Sequence, residues 1–256
     1  MNQPKPSTRW GRLIGAISLV LFTTLGSSPA QAGWFDWLLG RSPVSGTPTG
    51  RRTGGGDRSG SCPKSNTSLT ALAPLYKAKD GQQFILGSTV STHPTLWFYL
   101  PYEINENRPA ELRIEERQNT YRLDRTIVTL TKAPAGVIGV PLPPDQVAPL
   151  KVGEPRYFTF VIRCDPKDSS ANKFVGISVE RVPLSPALRN QLETASPNEQ
   201  VNLYGNAGIW FETLTIVAQS LQRSPADSKL RTIWTQFLKD FNLPPREPHL
   251  LGSTSN

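Results

Sequence analysis

The sequence predicts a mainly β protein with an α tail: an antiparallel β-sandwich followed by a C-terminal helical hairpin. Three observations carry this. Segments with an apolar residue at every second position recur between residues 69 and 180, the period of a strand with one face in a core. Turn signals rich in Pro, Gly, Asn and Asp separate them at short intervals, as in sandwiches. Beyond Pro183 the apolar period becomes helical.

The chain starts with an address. Lys5, Arg9 and Arg12 precede an uncharged run from Leu13 to Leu25, and Ala30-Gln31-Ala32 follows. That order predicts a secretory signal peptide over residues 1–32, cut between Ala32 and Gly33. Its apolar core is about 13 residues, against the roughly 20 that span a bilayer; a retained anchor is the alternative. No later stretch is long and apolar enough to span, so no transmembrane segment is expected after signal removal. The mature chain is expected to be periplasmic or secreted.

Residues 33–61 form a short aromatic segment and a flexible linker. Trp34, Trp37 and Leu38 sit at helical spacing, but so short a helix is marginal alone. Residues 41–61 are rich in Gly, Ser, Thr, Pro and Arg and cannot bury a core. Gly54-Gly55-Gly56 lacks the Lys-Ser/Thr and the preceding strand of a phosphate loop.

Residues 62–183 make the sandwich. Leu69–Tyr76 is the first candidate strand, with Pro74 marking an edge or a bend. Thr95–Leu100 is an aromatic strand stopped by Pro101. Ala110, Leu112 and Ile114 alternate with Glu111, Arg113 and Glu115. A turn at residues 117–120 leads to the partner strand, Tyr121–Leu130. Ile138, Val140 and Leu142 alternate before Pro143-Pro144, and Phe158, Phe160, Ile162 and Cys164 share one phase. Cys164–Asp168 turns the chain into a last strand with Val175, Ile177 and Val179 inward.

Residues 184–243 form the helical tail. Ser185-Pro186 starts a helix, and Ser196-Pro197-Asn198-Glu199 is a capping box. Trp210, Leu214, Val217, Ala218 and Leu221 make one apolar stripe. Asp227 precedes another, through Leu230, Ile233, Trp234, Phe237, Leu238 and Phe241. Such stripes are ordinarily core. Pro244-Pro245 ends the helix, and residues 244–256 are expected to be disordered.

Two cysteines in an exported chain allow one pairing, so a Cys62–Cys164 disulfide is expected. With His93 and His249 far apart they do not supply a metal site, and no cofactor is implied. The net charge is +8, of which Lys5, Arg9 and Arg12 supply three; the remaining +5 is a mild excess. It suits a solvated surface, or an anionic partner. No basic-aromatic motif points to nucleic acid.

A catalytic constellation is not found. Gly-x-Ser-x-Gly is absent. His93 has no identifiable nucleophile and acid beside it and is read as structural. Glycosidases need only two carboxylates, and Glu111, Glu115, Glu116 and Asp124 lie near one hairpin. On an exposed face they would stay solvated and unperturbed. Asp165 and Asp168 could ligate calcium, but Asp-Pro reads more simply as a turn. The candidate binding residues are Trp97 and Tyr99, for an exposed aromatic row, and Trp210 and Phe211, for a protein-binding patch on the tail.

Two resemblances follow from particular residues. Gly208-Ile209-Trp210-Phe211-Glu212-Thr213-Leu214, with Pro225 beyond it, loosely resembles the centre of one tetratricopeptide repeat. A single repeat builds no groove, so this implies a helical hairpin packed on the sandwich. Arg52-Thr53-Gly54-Gly55-Gly56, Cys62-Pro63, Leu69–Pro74, Pro94–Pro101, Gly136–Val140, Cys164-Asp165-Pro166 and Ala207–Phe211 follow one another in order. On these motifs, over residues 51–243, the chain resembles the cyanobacterial secreted family known as domain of unknown function 928. The resemblance implies export, a cysteine pair and a β-then-α layout, and it brings no activity. The expected function is a non-enzymatic envelope or extracellular module binding a protein partner or surface polysaccharide. The alternative is a carbohydrate-active hydrolase using paired carboxylates.

Overall fold

The computed structural model describes residues 62–77, 83–117 and 123–252. The expected signal peptide, its cleavage point at Ala32 and Gly33, the aromatic segment and linker up to residue 61, and the hairpin turn at residues 118–120 lie outside them.

Among the described residues, ten strands and four α-helices follow in order. The strands are β1 (Thr70–Ala71), β2 (Leu75–Lys77), β3 (Gln83–Thr89), β4 (Thr95–Leu100), β5 (Ala110–Arg117), β6 (Leu123–Leu130), β7 (Gly136–Pro141), β8 (Arg156–Ile162), β9 (Lys173–Arg181) and, last in the chain, β10 (Pro248–Leu250). Between β9 and β10 come α1 (Pro186–Thr194), α2 (Pro197–Asn206), α3 (Trp210–Arg223) and α4 (Ser228–Asp240). None of the described helices is long and apolar enough to cross a membrane.

The strands form two sheets, β2-β3-β9-β8-β5-β6 and β1-β4-β7-β10. They pack face to face: Phe98 on β4 stacks on Phe160 of β8 with ring centroids 4.4 Å apart. The second face of the smaller sheet is covered by α3 and α4. Trp97 meets Trp234 of α4 edge-on at 6.0 Å and donates its indole N–H to Thr215 Oγ1 at 3.0 Å. The result is three layers, which explains the unbroken apolar run of β4: Leu96 to Leu100 are all buried because both faces of that strand are covered.

Pro74 does bend the first candidate strand, splitting it into β1 in one sheet and β2 in the other. The sheets are mixed rather than purely antiparallel, because β3 runs parallel to β9 and β10 parallel to β7. Strand β3 was not anticipated. Nor is the expected disordered end wholly without structure: Pro248, His249 and Leu250 pair with Val137, Ile138 and Gly139, and Leu251 N–H donates to the Gly139 carbonyl at 2.9 Å. Residues 253–256 lie outside the described set.

The tail holds four helices: two short ones at the expected Ser185 and Ser196 starts, then the expected hairpin. Helix α1 starts at the Ser185 cap and buries no residue. The capping box at Ser196 and Glu199 opens α2, and Gly208, at φ +71°, turns the chain into α3. Helices α3 and α4 are the hairpin. Their stripes, with Trp210, Leu214, Val217, Ala218 and Leu221 on one and Leu230, Trp234, Phe237 and Leu238 on the other, are buried. Trp210 and Trp234 each keep a partner for the indole N–H: the Leu72 carbonyl at 2.8 Å and the Arg246 carbonyl at 2.7 Å. A buried indole needs such an acceptor.

Cys62 and Cys164 are joined by a disulfide, with Cα atoms 5.0 Å apart. It ties the segment before β1 to the turn after β8, 102 residues later. A disulfide sulfur has no proton, so the Tyr102 hydroxyl is the donor toward Cys164 Sγ at 3.4 Å. The Arg108 guanidinium lies over the Tyr102 ring, 4.8 Å from its centroid.

Candidate binding cleft

Where β3 ends, Ser88 and Thr89 meet the start of α3. The N-cap of α3, Ile209, has no side-chain bond to offer the helix. Ser88 supplies it from the sheet: its hydroxyl accepts from Trp210 N–H at 3.2 Å and donates to the Gly208 carbonyl. In the same first turn of α3, Glu212 reaches back to the loop after β3. Its Oε1 accepts from Thr89 Oγ1 at 2.6 Å, Val90 N–H at 3.1 Å and Ser91 N–H at 3.0 Å. Its Oε2 is buried without a partner. Burial raises the Glu212 pKa above its ordinary value, against the lowering effect of the Thr89, Ser91 and Val90 hydrogen bonds.

The loop from Val90 to Pro94 is also held from its other sides. Arg181 of β9 donates to the Val90 carbonyl at 3.1 Å and to the Leu150 carbonyl at 3.2 Å. Leu150 N–H donates to the Thr92 carbonyl at 2.9 Å. His93 Nε2 lies 2.9 Å from the Val147 carbonyl and Nδ1 lies 3.1 Å from Thr92 Oγ1. A carbonyl only accepts, so Nε2 carries a proton. His93 is thus a brace between loops.

Between this loop and helices α2 and α3 lies an open cleft of about 280 Å³. Ser91, His93, Thr95, Tyr204, Glu212 and Thr215 give it polar groups, and Pro94, Phe211 and Ile216 give it apolar surface. Burial raises the Tyr204 pKa, and the Glu212 charge raises it further. Among the described residues no Lys or Arg lines the cleft, and Glu212 is the one acid.

The four aromatic residues expected to bind lie elsewhere in character. Trp97 is 0% exposed, Tyr99 4%, Trp210 2% and Phe211 1%. Trp97 and Tyr99 lie in a strand covered on both faces, and Trp210 lies between α3 and the sheets, so none presents a ring to solvent. Phe211 alone touches the cleft, as part of its floor. Its ring sits against Gly87, where a Cβ would fall 2.4 Å from Phe211 Cε2.

The hairpin carboxylates also depart from expectation. Glu111 is buried, and it is bridged by Arg113 at 2.7 Å and Arg163 at 3.0 Å. Burial would raise its pKa; the hydrogen bonds and charges of the two arginines outweigh that and hold it below the ordinary value. Glu115 pairs separately with Arg125 at 2.7 Å. The two acids stand four residues apart on β5, about 13 Å along a strand. The side chains of Glu116 and Asp124 lie outside the described set. Asp165 and Asp168 are turn residues: each accepts a backbone N–H two positions on, from Lys167 and Ser170, at 2.8 Å. His249 lies on β10.

Glu212, Tyr204 and Thr215 were not singled out from sequence as site residues. The partners of Glu212 on the β3 loop lie 121 to 123 positions away, and no local motif links such segments.

These features define a disulfide-linked β-sandwich with a helical layer and a small cleft at the seam between them, lined by both polar and apolar residues. The chain belongs to the family described as Domain of Unknown Function (DUF928), which it matches over residues 53–247. No curated protein matches it.

Proposed function

We propose that this chain is an exported, non-enzymatic envelope or extracellular module that binds a surface polysaccharide. One observation carries the reading: a preformed cleft that, among the described residues, combines hydroxyl-bearing side chains with apolar surface and a single carboxylate. Sugars present hydroxyl edges and apolar C–H faces, and such a lining complements both. Glycoside hydrolysis by the common mechanisms needs two carboxylates about 5–9.5 Å apart. Among the described residues only Glu212 brings a carboxylate to the cleft, and its Oε1 already holds the loop. Export is supported by the basic, apolar and small-residue order of residues 1–32 and by the disulfide.

A protein partner is the second reading, favoured by Ile127 and Phe174, which are 45% and 44% exposed on the open face of the larger sheet. The buried stripes of α3 and α4 give no support to a tail patch.

The test is capture. The oxidised chain starting at Gly33 is immobilised and exposed to a solubilised envelope fraction and to its isolated polysaccharides. Retention of glycan, with no release of reducing sugar, supports the proposal. Retention of one dominant protein instead moves the function to the second reading. If nothing is held at low salt, both binding readings fail.

A further inference from the structure

We propose that the cleft beside Glu212 takes one uncharged sugar unit, the end or a side branch of a glycan, and not a length of polymer. This rests on the polysaccharide-binding reading above and names the part of the ligand that is recognised.

Size argues first. A cleft of about 280 Å³ lies just below the roughly 300–1,000 Å³ of sites for drug-sized ligands. It accommodates one ring with its substituents. Chains of sugars need a longer groove, with a succession of stacking faces, and the aromatic run that could have supplied one, Trp97 to Tyr99, is buried.

The lining argues next for an uncharged ligand. Among the described residues no Lys or Arg lines the cleft, and both His93 ring nitrogens are already engaged by Thr92 and Val147, so they offer no free cation to a phosphate, sulfate or uronate. Glu212 would repel such groups when ionised. Ser91, Thr95, Thr215 and Tyr204, each with a hydroxyl group, are among the lining residues. Ser91 Oγ accepts from His93 N–H and Thr215 Oγ1 from the Trp97 indole N–H, and each keeps its own O–H to donate. A hydroxyl group can both donate and accept, so these side chains match the hydroxyls of a neutral sugar without fixing a charge. Pro94 and Ile216 leave apolar surface for the C–H face of the ring.

Preorganisation is the third argument. The wall carrying Ser91 and His93 is fixed by Glu212, Arg181 and the contacts to Val147 and Leu150 before any ligand arrives. Loop ordering therefore subtracts little from affinity. Glu212 is a positioning residue here: it holds the Ser91 amide, and through it the wall.

The experiment is a titration of the isotope-labelled, oxidised chain with neutral monosaccharides (glucose, galactose, mannose and N-acetylglucosamine), read by amide shifts. At least one sugar should move Ser91, Tyr204 and Thr215 together. Tyr204→Phe should weaken that sugar about fivefold, the share of one ordinary hydrogen bond. Tyr157→Phe, on the open face of the larger sheet, should leave it unchanged. If Tyr204→Phe fails to fold, Ser91→Ala serves in its place. Shifts confined to the open face overturn the cleft and leave the polysaccharide reading standing. Retention of whole polysaccharide with no monosaccharide shift overturns end recognition alone. Failure of both polymer and monosaccharide to bind overturns both proposals.

Discussion

Thr89 Oγ1 donates to Glu212 Oε1 at 2.6 Å, joining the last residue of β3 to the first turn of α3. Thr89 is fully buried, so its hydroxyl has no water to fall back on. The same oxygen takes the Val90 and Ser91 amides. One carboxylate oxygen thereby sets where the sheet, the loop and the helix meet. Glu212→Ala strands two donors, the Thr89 hydroxyl and the Val90 amide, while the Ser91 amide keeps Thr89 Oγ1 as an acceptor at 3.0 Å. A buried donor without an acceptor costs about 1–3 kcal/mol; the Val90 amide recovers some water, so a loss of about 2–4 kcal/mol is expected in urea unfolding. Glu212→Gln keeps an acceptor and should lose about 1 kcal/mol or less. Equal losses in the two variants would mean that the carboxylate does not organise the seam.

The same residue gives stability a pH dependence. Its folded pKa is raised above the ordinary 4.5, chiefly by burial. Between those two values the folded state binds more protons than the unfolded state, so stability falls as pH rises. The contribution is greatest below about 4.5, declines as pH climbs through the raised folded value, and is level above it. Tyr204 from α2 and His93 from the loop border the same cleft and remain in both proteins. The difference in unfolding free energy between wild type and Glu212→Gln, measured from pH 4 upward, should therefore move against the wild type. A flat difference would contradict this.

Much of the β framework was written locally. The bounds of Thr95–Leu100 follow from an aromatic run closed by Pro101, and the β5 alternation from residues adjacent in sequence. Strand β3 was hidden for a physical reason. Its buried phase is Ile85, Gly87 and Thr89. Glycine stands at a core position because Phe211 fills its space, and threonine because Glu212 takes its hydroxyl. Both compensations come from α3, more than 120 residues away, so hydropathy along β3 shows no period of two. The cleft was hidden with it. The candidate aromatics failed for a related reason: a strand covered on both faces and an exposed aromatic row look alike until the covering layer is known. Trp97 is covered by Trp234, which lies beyond the reach of strand periodicity.

Glu111 carries the opposite pH sign from Glu212. Arg113 and Arg163 hold its folded pKa below 4.5 in spite of burial. Its contribution is present above about 4.5 and is lost as pH falls through the lowered folded value. Both arginines remain partly in water, with side chains 30% and 41% exposed, so the contribution is on the order of 1 kcal/mol. Glu111→Gln should cost that much near neutral pH and progressively less in acid, in paired denaturant titrations. A loss independent of pH would assign the effect to packing.

The Cys62–Cys164 link closes a loop of about 100 residues, for which the chain-entropy account gives up to ~4.7 kcal/mol. Reduction should lower the unfolding free energy by about 2–5 kcal/mol. The double variant Cys62→Ser/Cys164→Ser, insensitive to reductant, should match the reduced wild type. If reduction leaves the midpoint unchanged, the disulfide contributes nothing to holding the segment before β1 against the sandwich.

Gly87 and Phe211 should behave as one unit. A Cβ at residue 87 would sit 2.4 Å from Phe211 Cε2, and Phe211 is 1% exposed, so the ring has little space into which to retreat. Gly87→Ala is expected to destabilise by about 1–3 kcal/mol, the range for overpacking a core. Phe211→Leu alone opens space over the glycine and should also destabilise, through lost packing. Combined, the methyl at residue 87 occupies part of the vacated volume, so the double variant should lose less than the sum of the singles, by about 0.5–3 kcal/mol. Chemical unfolding of the four proteins measures this directly. Simple additivity would show that β3 and α3 do not press on one another here, and the packing that places Glu212 beside Thr89 would then have to come from Ser88 and its bonds to Gly208 and Trp210.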